Sequence, residues 1–129
     1  MGWLLMLALA GAAGAVMLHG QTQASGDPAK GKDAFERCAA CHSLDDTTAA
    51  GPSLAGVFGR RAGARDDYRY SAAMVRSGIV WDENTLDAFV ADPQALVKGN
   101  RMSFAGITDK AERADLIAYL RQAAKPAAR

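Results

Sequence analysis

Hydrophobic and polar residues follow two regimes along this chain, and the two meet near residue 26. From Trp3 to Leu18 every residue is Ala, Gly, Leu, Met, Val or Trp, with no polar face. Beyond residue 26, apolar residues recur in short blocks at helical spacing, separated by Gly- and Pro-punctuated stretches. Asp27-Pro28 pairs an N-cap with a first-turn proline, and Gly31, Ala34, Phe35 and Cys38 share a face of the helix that follows. From Ser43 to Arg69 no period is sustained. Leu54, Val57, Phe58, Tyr68 and Tyr70 are nevertheless too apolar to leave in water, which predicts an ordered loop wrapped around something functional.

Short helices fit 71–77 and, after Asp82 or Asn84 as cap, 85–90. "ADPQALVKGNRMSF" breaks the pattern again. Thr108 is the expected cap of the clearest helix, Asp109 to about Ala124, with Leu116, Leu120 and Ala124 on one stripe beside Ile117. No segment alternates as a strand would, so the fold class is all-α, three to five helices joined by long loops.

Charge sharpens the boundary. The chain has 129 residues, 15 Lys and Arg, 14 Asp and Glu, and a net charge of +1, and its first charged side chain is Asp27. Residues 1–24 are thus a separate object from a single domain at 25–129. Thr22-Gln23-Ala24 offers small residues at a cleavage site, the pattern of an export signal. The apolar run spans about 24 Å as a helix, against roughly 30 Å of hydrocarbon, while counting from Met1 to Gly20 makes a retained anchor through residues 3–20 feasible. Both readings place the domain outside the cytoplasm, in a bacterial periplasm. Near-neutral charge gives no footprint for nucleic acid.

The candidate chemistry is concentrated in "RCAACHS", which holds both cysteines and a histidine. Structural zinc needs four nitrogen or sulfur ligands, and the chain has two cysteines, His42, and His19 in the leader. A redox dithiol expects a strand-to-helix junction, and a plain disulfide leaves His42 unexplained. Cys-x-x-Cys-His is the c-type haem attachment pattern, with thioethers from Cys38 and Cys41 and the His42 imidazole as axial ligand. Outside the leader the methionines are Met74 and Met102. Met74 sits on a short helix and reads as packing. Met102 lies in a Gly-containing loop where its thioether could turn toward iron; a packing role for it, or an open sixth position, stays as the alternative.

Over residues 26–124 the chain resembles class I cytochrome c. "GKDAFERCAACH" is similar to that family's first helix, "GPSLAGVFGRRAG" to its Gly-Pro-x-Leu-x-Gly-x-x-Gly-Arg loop, and "YRYSAAM" to its Tyr-x-Tyr-Ser segment. "GIVW", "NRMSFAGI" and "ERADLIAYL" follow in the family's order. The resemblance implies a cytochrome c fold around one covalent haem c held through Cys38 and Cys41, with His42 and Met102 as axial ligands. It further implies that the Pro52 carbonyl meets the His42 ring N–H, and that Arg60, Tyr70, Trp81 and Asn100 hold the haem propionates. Gly31 and Phe35 would pack against Leu116 and Tyr119.

The function implied is single-electron transfer, from a bc1-type complex to a terminal oxidase, by a monomer that is not an enzyme. Partners would dock at the haem edge near Lys32, Arg37, Lys98 and Arg101. If Met102 were labile, a peroxidase or gas-binding protein would be the alternative. Three positions depart from the common pattern: Phe89 for tyrosine, Lys98 for proline and Asn100 for threonine. They bear on redox tuning and on the firmness of the Met102 loop.

Overall fold

The computed structural model describes residues 26–126. The leader, with its cleavage site, possible anchor and His19, lies outside the described residues. Among those described, no helix is long and apolar enough to cross a membrane.

Five helices follow in chain order: α1 (Pro28–Ala39), α2 (Ala72–Arg76), α3 (Glu83–Ala91), α4 (Pro93–Leu96) and α5 (Lys110–Ala123). Asp27 starts α1 as expected, its carboxylate accepting from the Ala29 N–H with Pro28 in the first turn. Ser71 caps α2, and Asp82 caps α3 in a reciprocal capping box with Thr85. Two details differ from the sequence expectation. Helix α5 is capped by Asp109, not Thr108, because the Asp109 carboxylate reaches both Ala111 and Glu112 N–H groups. The "DPQAL" stretch forms the extra turn α4, capped by Asp92 with Pro93 at its start. The fold is all-α; its one β feature among the described residues is an isolated bridge between Arg61 and Val80.

The terminal helices α1 and α5 cross at Gly31. A Cβ built there would lie 1.9 Å from the Asp115 carbonyl oxygen, so only glycine permits this approach. One turn along, Phe35 meets Tyr119 with ring centroids 5.5 Å apart, and Leu116 is buried beside them. Helix α1 runs on from this crossing into the Cys-x-x-Cys-His segment. A second cluster, Trp81, Leu86, Phe89, Val57, Val97 and Ile117, forms the other half of the core. Leu54 and Phe58 pack against both halves, so the Gly- and Pro-rich loop is ordered by its apolar side chains.

The residues just after α5 are strapped to that loop. Gly56 N–H donates to the Lys125 carbonyl at 2.7 Å, and Lys125 N–H to the Leu44 carbonyl at 3.0 Å. Arg113 is buried at the base of α5, donating to Asp87 of α3 at 2.7 Å and to the Ile107 and Thr108 carbonyls. It joins α3, α5 and the segment between them.

Candidate functional site

The last turn of α1 ends inside the motif. The N–H groups of Cys41 and His42 both donate to the Cys38 carbonyl, at 3.0 and 2.9 Å, so the chain turns tightly. Cys38 is half-buried and Cys41 exposed, and both are free thiols. Burial pushes the Cys38 thiol up, and the neighbouring Arg37 charge offsets part of this.

The Cys41 carbonyl accepts from Gly51 N–H at 2.8 Å, which lays the Gly51-Pro52 backbone against the imidazole. The Pro52 carbonyl sits 2.7 Å from His42 Nδ1. A carbonyl only accepts, so Nδ1 carries the proton and Nε2 presents its lone pair. Burial holds His42 below the usual imidazole range, outweighing the Pro52 hydrogen bond, with the Arg60 charge pushing the same way. The ring is therefore neutral at physiological pH, as a metal ligand must be.

These groups line a cavity of ≈ 360 Å³, within the roughly 300–1,000 Å³ usual for ligand sites. All nine residues expected at the site lie on its wall: Cys38, Cys41, His42, Pro52, Arg60, Tyr70, Trp81, Asn100 and Met102. Apolar side chains, among them Leu54, Val57, Phe89 and Leu116, form the remainder. Met74 reaches the wall too while packing against the Trp81 cluster, so it is more than the core residue expected. The motif quoted from the loop contained Gly51, yet spacing alone gave it no role. A Cβ there would lie 2.7 Å from His42 Cε1.

The polar wall fits an anionic, largely apolar guest. Arg60 donates to the Ala55 carbonyl at 2.6 Å and to the Ser53 carbonyl at 3.0 Å, and no carboxylate among the described residues forms an ion pair with it. Burial lowers its pKa, outweighing the opposite pull of nearby Tyr70 and Asp67. Trp81 is buried on the same wall. A half-buried guanidinium held by backbone carbonyls, beside the Trp81 indole, suits a carboxylate brought by the guest. Burial also raises the Tyr70 hydroxyl. Two thiols, a neutral imidazole, a thioether and this lining together match haem c.

Asn100 behaves differently from the expectation. Its Nδ2 donates to the Pro93 and Val97 carbonyls, both at 2.9 Å, and its Oδ1 accepts from Met102 N–H at 2.8 Å. Both amide hydrogens are spent inside the loop, leaving none for a propionate. Two of the cations expected at the docking edge are also engaged. Arg37 pairs with Glu112, and Arg101 donates to the Arg69 carbonyl. Lys32 and Lys98 remain exposed.

Comparison with known proteins agrees with the geometry. The cytochrome c family model matches residues 28–124. Cytochrome c2 of Rhodomicrobium vannielii is 40% identical over 116 residues, covering 88% of this chain and 91% of that protein. Cytochrome c of Tetrahymena pyriformis is 44% identical over 101 residues, covering 78% and 92%. The solved structure of cytochrome cH from Methylobacterium extorquens aligns with a TM-score of 0.72 and 43% identity, covering 75% of this chain and 99% of that one. The attachment motif, the cavity it opens on and these likenesses together place the chain in the cytochrome c family, as a single-haem electron-transfer cytochrome with haem c bound through Cys38 and Cys41.

Proposed function

We propose that this protein passes single electrons between respiratory complexes in the periplasm, from a bc1-type complex to a terminal oxidase, with His42 and Met102 as axial ligands. The observation that carries this reading is His42 Nδ1 fixed at 2.7 Å from the Pro52 carbonyl, on a cavity wall shared with both thiols and Met102. Haem, when bound, supplies an iron that gains and loses one electron; a thioether ligand raises its potential relative to a second histidine.

The chain's own residues set the conditions for that exchange. Pro52 fixes the tautomer and direction of His42, which keeps Nε2 aimed and unprotonated. The largely apolar wall disfavours added positive charge, which also favours the reduced state. Arg60 and Trp81 would meet the propionates. Lys32 and Lys98 give modest electrostatic guidance for an acidic partner, sensitive to salt.

The reading is tested by absorption spectra of the exported holoprotein, its Met102→Leu variant and its Met74→Leu variant in both oxidation states. Wild type and Met74→Leu should show the weak near-infrared band of oxidised iron bonded to a methionine sulfur, and Met102→Leu should lose it. A wild-type spectrum without the band would overturn His/Met ligation and favour peroxide or gas binding. Its loss in Met74→Leu alone would move the ligand to Met74.

A further inference from the structure

We infer that Asn100 and Gln94 are positioning residues: together they clamp the loop carrying Met102 and hold it over the cavity. This deepens the proposed function, resting on Met102 as ligand. Lys98 leaves the loop without a proline to stiffen it, so its rigidity must come from hydrogen bonds.

Those bonds are present and local. Asn100, 7% exposed, gathers the Pro93 and Val97 carbonyls through Nδ2 and the Met102 N–H through Oδ1. Its amide thereby bridges both ends of α4 to the backbone of Met102. Gln94 acts from outside: Nε2 donates to the Asn100 carbonyl at 3.1 Å, and Oε1 accepts from Gly99 N–H at 3.2 Å. Asn100 N–H closes the set on the Val97 carbonyl at 3.1 Å. Five hydrogen bonds thus tie 93–97 to 99–102, four of them through the two amide side chains, and a sixth joins the Asn100 side chain to Met102. Pro93, fully buried, anchors this assembly in the core.

A shifted loop would strand the buried Asn100 amide without partners, which makes opening costly. The clamp consequently limits the fraction of molecules whose sixth position is free. An external ligand that displaces Met102 binds in proportion to that fraction.

The test is the apparent affinity of the oxidised holoprotein for imidazole, read from loss of the methionine band, in wild type, Asn100→Ala and Gln94→Ala. Asn100→Ala should bind imidazole about tenfold or more tightly, and Gln94→Ala should shift in the same direction by less. Amide hydrogen exchange at Met102 should quicken in Asn100→Ala, because its acceptor is gone. Gly31→Ala serves as the control: it weakens the fold at the helix crossing and should leave imidazole affinity unchanged. Gln94 is exposed, so its variant reports even if Asn100→Ala fails to fold. Affinities equal to wild type in Gln94→Ala, and in Asn100→Ala where it folds, would overturn the clamp while leaving Met102 ligation intact. A wild type without the methionine band would overturn both. Equal tightening in Gly31→Ala would reduce the effect to general stability and overturn the positioning role.

Discussion

The Pro52 carbonyl accepts a 2.7 Å hydrogen bond from His42 Nδ1. That contact exists because the preceding residue has no side chain. A Cβ at Gly51 would fall 2.7 Å from Cε1 of the same ring and 3.1 Å from the Cys41 carbonyl. Gly51→Ala should push the loop off the imidazole, costing about 1–3 kcal/mol in denaturant unfolding of the holoprotein. The reduction potential should shift as well, since the orienting hydrogen bond is lost.

The helix crossing allows less adjustment. At Gly31 the offended atoms are backbone, with the Asp115 oxygen 1.9 Å and the Tyr119 Cβ 2.8 Å from an added Cβ. Gly31→Ala should therefore cost at least about 2 kcal/mol, measured by urea unfolding. Its absorption spectrum should stay that of wild type, because the crossing lies away from Met102's loop.

Arg113 is 9% exposed and holds Asp87 at 2.7 Å. Asp87→Ala would leave a buried guanidinium with only carbonyl partners. A loss of about 1–3 kcal/mol is expected, checked by thermal unfolding, and Asp87→Asn should recover part of it by keeping an acceptor.

Arg65 ties Asp67 to Asp46 on the surface, and Thr48 donates to Asp67. The Arg65 hydrogen bond, followed by that of Thr48, holds the Asp67 carboxyl far below the usual range. A carboxylate lowered by folding stabilises above its unfolded pKa, about 3.9, and loses that contribution as pH falls through its folded value. Asp67→Asn should therefore lower the melting temperature at neutral pH, and the difference should close in acid. High salt should shrink it as well.

Much of this site was legible because its chemistry is written in contiguous residues. Cys38, Cys41 and His42 are adjacent in sequence, and the helix that presents them announces itself through Asp27-Pro28 and the Gly31, Ala34, Phe35 face. The ordered state of 43–69 was legible from its apolar side chains, since no polar loop carries Leu54, Val57 and Phe58. Helix α4 was not, because four residues are too few to show a 3.6 period. The cap of α5 was displaced by one residue, since Thr108 and Asp109 are both competent and only geometry chooses between them. Asn100 lines the cavity, but its amide hydrogens go to the carbonyls of Pro93 and Val97 rather than being left for a propionate, and backbone acceptors leave no trace in side-chain identity. Gly51 was hidden for the opposite reason: its contribution is an absent atom.

The most direct test of the central claim is an equilibrium redox titration of the exported holoprotein. His42 and Met102 ligation in a largely apolar cavity should give a midpoint clearly positive against the hydrogen electrode, falling when Met102 is replaced by histidine. A wild-type midpoint well below zero, or one that Met102→His leaves in place, would contradict it.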